Sequence, residues 1–258
     1  MKIAAADSMR EPIMAQFQKA GHGFELPGAI ISARTESGHE IFMVRSPQLV
    51  EALQNGYADM ALVGTDILHE RQLLYADHQK IAPPLHTLAT FKGYGRQFIT
   101  PSVDIVVPPG SEKDHLDPGM IIVTEHPYIL KDHLESQGYN TARIGDKGVP
   151  LQHDEFRIWA EANNVHIGIH PVSGKEPALL LLRFCDAATI VTESGRTNTD
   201  NGLRVIESIE PVYISLIATD EAVREHAEGA MQFAEDLRKA YYSSKQEFEA
   251  SRFSAERA

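Results

Sequence analysis

The segment Thr189-Ile-Val-Thr-Glu-Ser-Gly-Arg-Thr-Asn-Thr-Asp-Asn-Gly-Leu203 carries an apolar strand into a polar, glycine-bearing turn at which a helix can begin. That order of residue types suits an anion. The backbone N–H groups of Ser194, Gly195, Arg196 and Thr197 can converge on one phosphate, with hydroxyls and a guanidinium beside them. Glu193, at the entrance of the turn, can hold sugar hydroxyls. Together they suggest a phosphorylated sugar, bound by its phosphate on the turn and by its ring on the acid. The plain alternative is a strand-to-helix turn of ordinary Gly, Ser and Thr composition with no ligand.

The same device recurs earlier, where Ala58-Asp-Met-Ala-Leu-Val63 ends in the polar turn Gly64-Thr65-Asp66. Arg45 and Asp66 flank this region, either as ligands or as a structural ion pair. Thr124 and Glu125 close another apolar run, with helix capping as the alternative role. His166 and His170 fall on one face of a strand but too far apart along it to share a metal ion without help. Cys185 is the single cysteine, so it makes no internal disulfide, and its apolar neighbours argue against a nucleophile.

These groups need elements to position them. Lys2 to Ala6 reads as a first strand, followed by a helix from about Glu11 to Ala20, with Pro12 in its first turn and Gly21 at its end. Glu40 to Val44 is a strand, and a helix from Ser46-Pro47 stops at Asn55-Gly56. Val103 to Val107 is a strand broken by Pro108-Pro109-Gly110, and a lobe boundary falls near Pro101. Beyond it come a strand at Met120 to Thr124, helices near Tyr128 to Ser136 and Asp154 to Ala162, and strands at His166 to His170 and Ala187 to Val191. This alternation is that of an α/β protein with mostly parallel sheets. From Glu221 onward, Val223, Ala227, Met231, Ala234, Leu237 and Tyr241 recur at helical steps and predict one long amphipathic helix.

The totals narrow the class. A chain of 258 residues with 43% hydrophobic and 23% charged content is globular, and no apolar run suits a membrane span. A net charge of −12 argues against a nucleic-acid partner. A small anion is still compatible, because a local nest of N–H groups acts at short range. The amino-terminal residues carry no secretory pattern, and with one cysteine the expected compartment is the cytoplasm.

Four segments in order resemble the ATP phosphoribosyltransferase family, the enzymes that begin histidine biosynthesis. They are Val44 to Leu68, with its Arg45 and Gly64-Thr65-Asp66; Met120 to Pro127, with Thr124-Glu125-His126-Pro127; Val172-Ser-Gly-Lys-Glu-Pro177; and Glu193-Ser-Gly-Arg-Thr197 with Asn201-Gly-Leu203 and Glu207. The resemblance implies two lobes of the periplasmic-binding-protein type (type II-like) with a cleft between, the first being residues 1–100 plus 205–258 and the second 101–204. It implies Mg2+-dependent transfer of phosphoribosyl from phosphoribosyl pyrophosphate (PRPP) to N1 of a purine nucleotide, ATP or a related acceptor, with pyrophosphate released. It makes Glu193 and Arg45 the catalytic candidates. Glu193, Ser194, Gly195, Arg196 and Thr197 would bind the phosphoribosyl group. Arg10, Arg45, Gly64, Thr65, Asp66, Thr124, Glu125, Ser173 and Gly174 would bind the nucleotide. No residue is assigned to a protein metal site, since Mg2+ comes with the donor's pyrophosphate. Glu176 either orders the neighbouring turn or touches substrate. A homo-oligomer is expected, and some family members also take a regulatory partner chain. The short form of the family lacks a separate carboxy-terminal regulatory domain, and this chain likewise ends in a helix after about Thr219, so feedback inhibition through such a domain is not expected.

The chain departs from that pattern at two turns. Ala6-Asp7-Ser8 stands where a lysine-glycine-arginine turn is usual, which removes two cations and leaves Arg10 as the nearby substitute. Ile190 stands where an acid is usual, so Thr192 or Glu193 would have to receive the sugar; Asn198 replaces an apolar residue. Residues 146–163, with the single tryptophan Trp159, form an insertion. The departures suggest a changed acceptor within a specialised nucleoside pathway, or alternatively a non-catalytic sensor or regulatory subunit on the same fold.

Overall fold

A computed structural model describes residues 1–94, 98–150, 152–193 and 195–255, leaving aside the side chains of residues 197 and 253–255. The chain divides into two compact units. Residues 1–71, 80–100 and 213–258 form the first, and residues 72–79 and 101–212 the second.

In the first unit, β1 (Lys2–Ala6) is apolar on both faces: Ile3 and Ala5 enter one core cluster, Ala4 and Ala6 another. A strand buried on both faces requires cover from two sides. α1 (Arg10–Lys19) supplies Ile13 and Phe17 to the first cluster. After β2 (Ser32–Arg34) and β3 (Glu40–Val44), α2 (Ser46–Gln54) starts at Ser46-Pro47 and gives Leu49, Val50 and Leu53 to the other. β4 (Met60–Gly64) passes directly into α3 (Thr65–Asp77), and β5 (Leu85–Phe91) completes this stretch.

The second unit runs through β6 (Ser102–Val107), β7 (Met120–Thr124), α4 (Pro127–Ser136), β8 (Thr141–Arg143), α5 (His153–Ala162), β9 (Ile167–Pro171), α6 (Glu176–Leu181), β10 (Ala187–Thr192), α7 (Arg196–Asp200) and β11 (Arg204–Pro211). The chain then returns to the first unit with β12 (Ile214–Thr219), α8 (Asp220–Glu225) and α9 (Ala227–Ala255). The last turn of α3 belongs with the second unit, where Lys131 Nζ meets Asp77 Oδ1 at 2.6 Å.

The strand orders are β2-β3-β1-β4-β12-β5 and β11-β6-β10-β7-β9-β8. Both sheets are mixed. β3-β1-β4 and β10-β7-β9-β8 are parallel blocks, and antiparallel strands extend them. β11 pairs with β6, so residues 205–212 lie in the second unit and not in the first, where the sequence reading put them. The expected single tail helix is two, interrupted at His226, where φ is −129°. Its buried stripe runs through Ala230, Phe233, Ala234, Leu237 and Tyr241, while Met231 is exposed.

Candidate functional site

In the second unit the parallel strands β10, β7 and β9 are neighbours, so their carboxyl ends share one edge of the sheet. In open α/β sheets that edge is where ligands bind. β10 delivers the chain to Glu193, which is exposed, and then to Gly195, whose φ of +69° turns the backbone into α7. Glycine suits this position because a positive φ strains other residues. Arg196 is exposed, with its Nε 3.3 Å from Asp200 Oδ2. The amide and hydroxyl of Thr199 both donate to the Gly195 carbonyl, at 2.9 and 3.0 Å, which closes the first turn of α7. Ser194 and the side chain of Thr197, both proposed phosphate ligands, lie outside the described residues.

The neighbouring strand ends bring Thr124, Glu125, Ser173 and Gly174 together. Thr124 pairs in register with Pro171, and the Val172 amide donates to the Thr124 carbonyl at 2.9 Å. Thr124 is fully buried; its hydroxyl bonds that of Thr189 and accepts from the His126 amide at 2.8 Å, so it ties β7 to β10 and shapes the turn. Glu125 and Ser173 are exposed beside it. Gly174 and Lys175 both have positive φ, +80° and +70°, and a side chain on Gly174 would meet Glu125 Oε1 at 3.5 Å.

The sequence over residues 45–239 matches the family model described as HisG: ATP phosphoribosyltransferase. The chain belongs to that family. Its members are pentosyltransferase enzymes. The ATP phosphoribosyltransferase of Thermotoga neapolitana is 23% identical over 231 residues, covering 89% of this chain and 88% of that protein. An ATP phosphoribosyl transferase (HisG:HisZ) complex from Thermotoga maritima contains a chain of similar fold, with a TM-score of 0.66 at 20% identity over 94% of this chain and 99% of that one. The periplasmic aliphatic sulphonate binding protein SsuA from Escherichia coli matches with a TM-score of 0.50 at 12% identity, over 97% of this chain and 75% of that one. The fold is the two-lobed α/β type that these proteins share.

In this HisG-family chain the remaining candidates sit in the first unit, at the carboxyl ends of β1, β3 and β4. Arg45 is exposed between β3 and α2, and its amide donates to Gln48 Oε1 at 3.4 Å, across the first turn of the helix. Thr65 is spent on the fold. Its amide donates to the Tyr213 carbonyl at 2.8 Å, and its hydroxyl accepts from the Tyr213 amide at 2.9 Å, which fastens the start of α3 next to β12. Gly64 pairs with Ile214 in the same ladder, and Asp66 is buried. Arg10 is held by Asp7, whose Oδ1 receives Nε at 2.9 Å and Nη2 at 2.7 Å, while Nη1 donates to the carbonyls of Gly28 at 2.9 Å and Leu26 at 3.4 Å. Its charge is largely answered by Asp7 and the 26–28 loop.

One group at the second unit's edge carries more than the motif suggested. Glu176 is buried, its Oε1 has no hydrogen-bond partner among the described residues, and burial raises its pKa from the ordinary value. The N–H groups of Glu176 and Gly174 oppose that rise, and the nearby charge of Glu125 adds to it. The histidines serve the fold: His166 Nδ1 accepts from the Asn140 amide at 3.0 Å, and His170 packs edge-on to Phe184. Burial pushes the Cys185 thiol up to about 12, leaving it protonated and unreactive.

Proposed function

We propose that the protein transfers the 5-phosphoribosyl group of PRPP to N1 of a purine nucleotide, with ATP the first acceptor to try and pyrophosphate the leaving group. The observation that carries this reading is the turn after β10, in a HisG-family chain, at the same sheet edge as the Glu125 and Ser173-Gly174 turns. On this reading the amides after Glu193 hold the 5'-phosphate, and Glu193 receives ribose hydroxyls. Fixed donors then keep C1 in line with its nucleophile while positive charge develops on the ring. Arg45 offers a permanent cation to the nucleotide's phosphates. Mg2+ takes hard oxygen ligands, largely phosphates with one or two carboxylates, and the exposed Glu125 and Glu193 are such groups. When bound with the donor, the metal would neutralise charge on the leaving pyrophosphate.

The compartment proposed is the cytoplasm; no helix among the described residues is long and apolar enough to cross a membrane. An oligomer is proposed as well, and the complex named for the Thermotoga maritima protein makes a partner chain worth seeking. The answered charge of Arg10 favours a second reading, a sensor that binds the donor without turning it over. Calorimetric titration with PRPP and Mg2+ tests the donor site common to both. Binding at millimolar ligand or below, weakened in Glu193→Gln, is expected; no heat from folded wild-type protein would overturn the assignment.

A further inference from the structure

A carboxylate is buried in the second sheet at Asp104 of β6, only 3% exposed. An ionised carboxyl out of water is costly unless a cation or a full set of donors compensates. Among the described residues its hydrogen-bond partner is Ser208, whose hydroxyl donates to Oδ1 at 2.8 Å. Among the described residues Oδ2 has no hydrogen-bond donor. Such a group is a poor choice for stability alone.

The strand register shows what surrounds it. Asp104 stands directly opposite Ile190 on β10 and opposite Ser208 on β11, so the three side chains share one face of the sheet. Thr192, the last residue of β10, lies on that face two positions nearer the Glu193–Gly195 turn. Its Oγ1 accepts from Asn198 Nδ2 at 3.1 Å, which leaves its own proton to donate elsewhere. Asn198 is buried, and among the described residues its Oδ1 has no partner. Ile190 and Thr192 are partly exposed, so the face is open toward the turn. Opposed side chains on adjacent strands have Cβ atoms about 4.5 to 5.5 Å apart. The acid that position 190 lacks is therefore present one strand away, at the same depth in the sheet.

We propose that Asp104, braced by Ser208, is a second carboxylate that joins Glu193 in receiving the hydroxyls of the donor's sugar ring, with Ile190 as the apolar surface beside it. This rests on the donor reading above. A carboxylate can accept from two vicinal hydroxyls at once, which a neutral Thr192 cannot, so Thr192 acts beside Asp104 and does not replace it.

The test is a titration of PRPP with Mg2+ on wild type, Asp104→Asn, Asp104→Leu and Asp104→Leu/Ile190→Asp, with a thermal melt on each. Asp104→Asn keeps the shape and can still accept from Ser208. Its Kd for PRPP is expected to rise about 10- to 100-fold, the factor carried by a hydrogen bond to a charged group, with Tm held or raised. Asp104→Leu is expected to melt higher and bind as poorly. Returning the acid to the neighbouring strand in Asp104→Leu/Ile190→Asp is expected to recover part of the loss. If Asp104→Asn binds PRPP as wild type does, or if the loss follows a lowered Tm throughout, Asp104 is only a brace for β11 and the proposal is overturned. Absence of PRPP binding by folded wild type would overturn the donor reading, and this inference with it.

Discussion

Burial sets the charge of Glu176, and that makes it the residue with the clearest pH signature. Its pKa lies above the ordinary 4.5, so the folded protein keeps a proton that the unfolded chain gives up. Stability then falls as pH rises through the window from about 4.5 to the raised value. Glu176→Gln removes this dependence, and its Tm relative to wild type is expected to climb between pH 4.5 and 7; a gap independent of pH would contradict the assignment. The turns themselves were legible in the sequence, because Gly195 and Ser173-Gly174 mark strand ends by residue type within a few positions. Thr65 and Asp104 were not. The hydroxyl of Thr65 is taken by Tyr213, 148 positions away, and the meaning of Asp104 comes from strands that pair only after folding. The sequence leaves Glu176 either role, and only its burial marks it as more than a turn residue.

Among the elements, α5 shows how a helix is fixed to the second sheet. Gly168 of β9 leaves room for it: a Cβ there would lie 2.6 Å from Phe156 Cζ and 3.0 Å from Ile144 Cδ1. Asp186 anchors the same helix through His153 Nε2 at 2.7 Å and Arg157 Nη2 at 3.2 Å. Gly168→Ala is expected to cost about 1 to 3 kcal/mol by overpacking, read by denaturant melts followed through Trp159 fluorescence; an unchanged midpoint would mean that α5 does not depend on that contact. At the turn after β10, Gly195→Ala must adopt a positive φ at a cost of about 1 to 2 kcal/mol. Among the described residues nothing lies within 4 Å of the added Cβ, so the strained φ is the cause. PRPP binding is expected to weaken by a similar factor, and tighter or equal binding would contradict the role of that turn. The strand-helix alternation of these parts was legible from apolar runs and their breakers. β5, β11 and β12 were not: β5, Leu-His-Thr-Leu-Ala-Thr-Phe, does not keep the alternation that marks a half-buried strand, and β11 carries two register shifts.

At the scale of the whole molecule, the two sheets hold their cores independently, each with a cluster on either face. In the first unit His22 and His39 pack around Phe233, and burial lowers the pKa of both below 6.5. Asp236 works against that shift at His22, where Oδ2 lies 3.4 Å from Nε2 and Ser37 Oγ 2.7 Å from Nδ1. The unfolded chain binds protons first as pH falls through 6.5, so stability contributed by the neutral rings is lost from there down to their lowered values. A His22→Asn/His39→Asn variant is expected to show a flatter Tm profile between pH 7 and 5.5; an equal slope would contradict it. The two-unit plan was legible near Pro101, but the return point was not, since β11 shows its allegiance to β6 only through pairing.

Transfer of a phosphoribosyl group to a purine nucleotide liberates pyrophosphate, and its release can be read directly. Purified protein with PRPP and Mg2+ should release pyrophosphate on addition of ATP or another purine nucleotide, and not without an acceptor. Release that requires both substrates is the predicted result. Silence with every purine nucleotide, from folded protein that binds PRPP, would contradict the transferase and leave the sensor in its place.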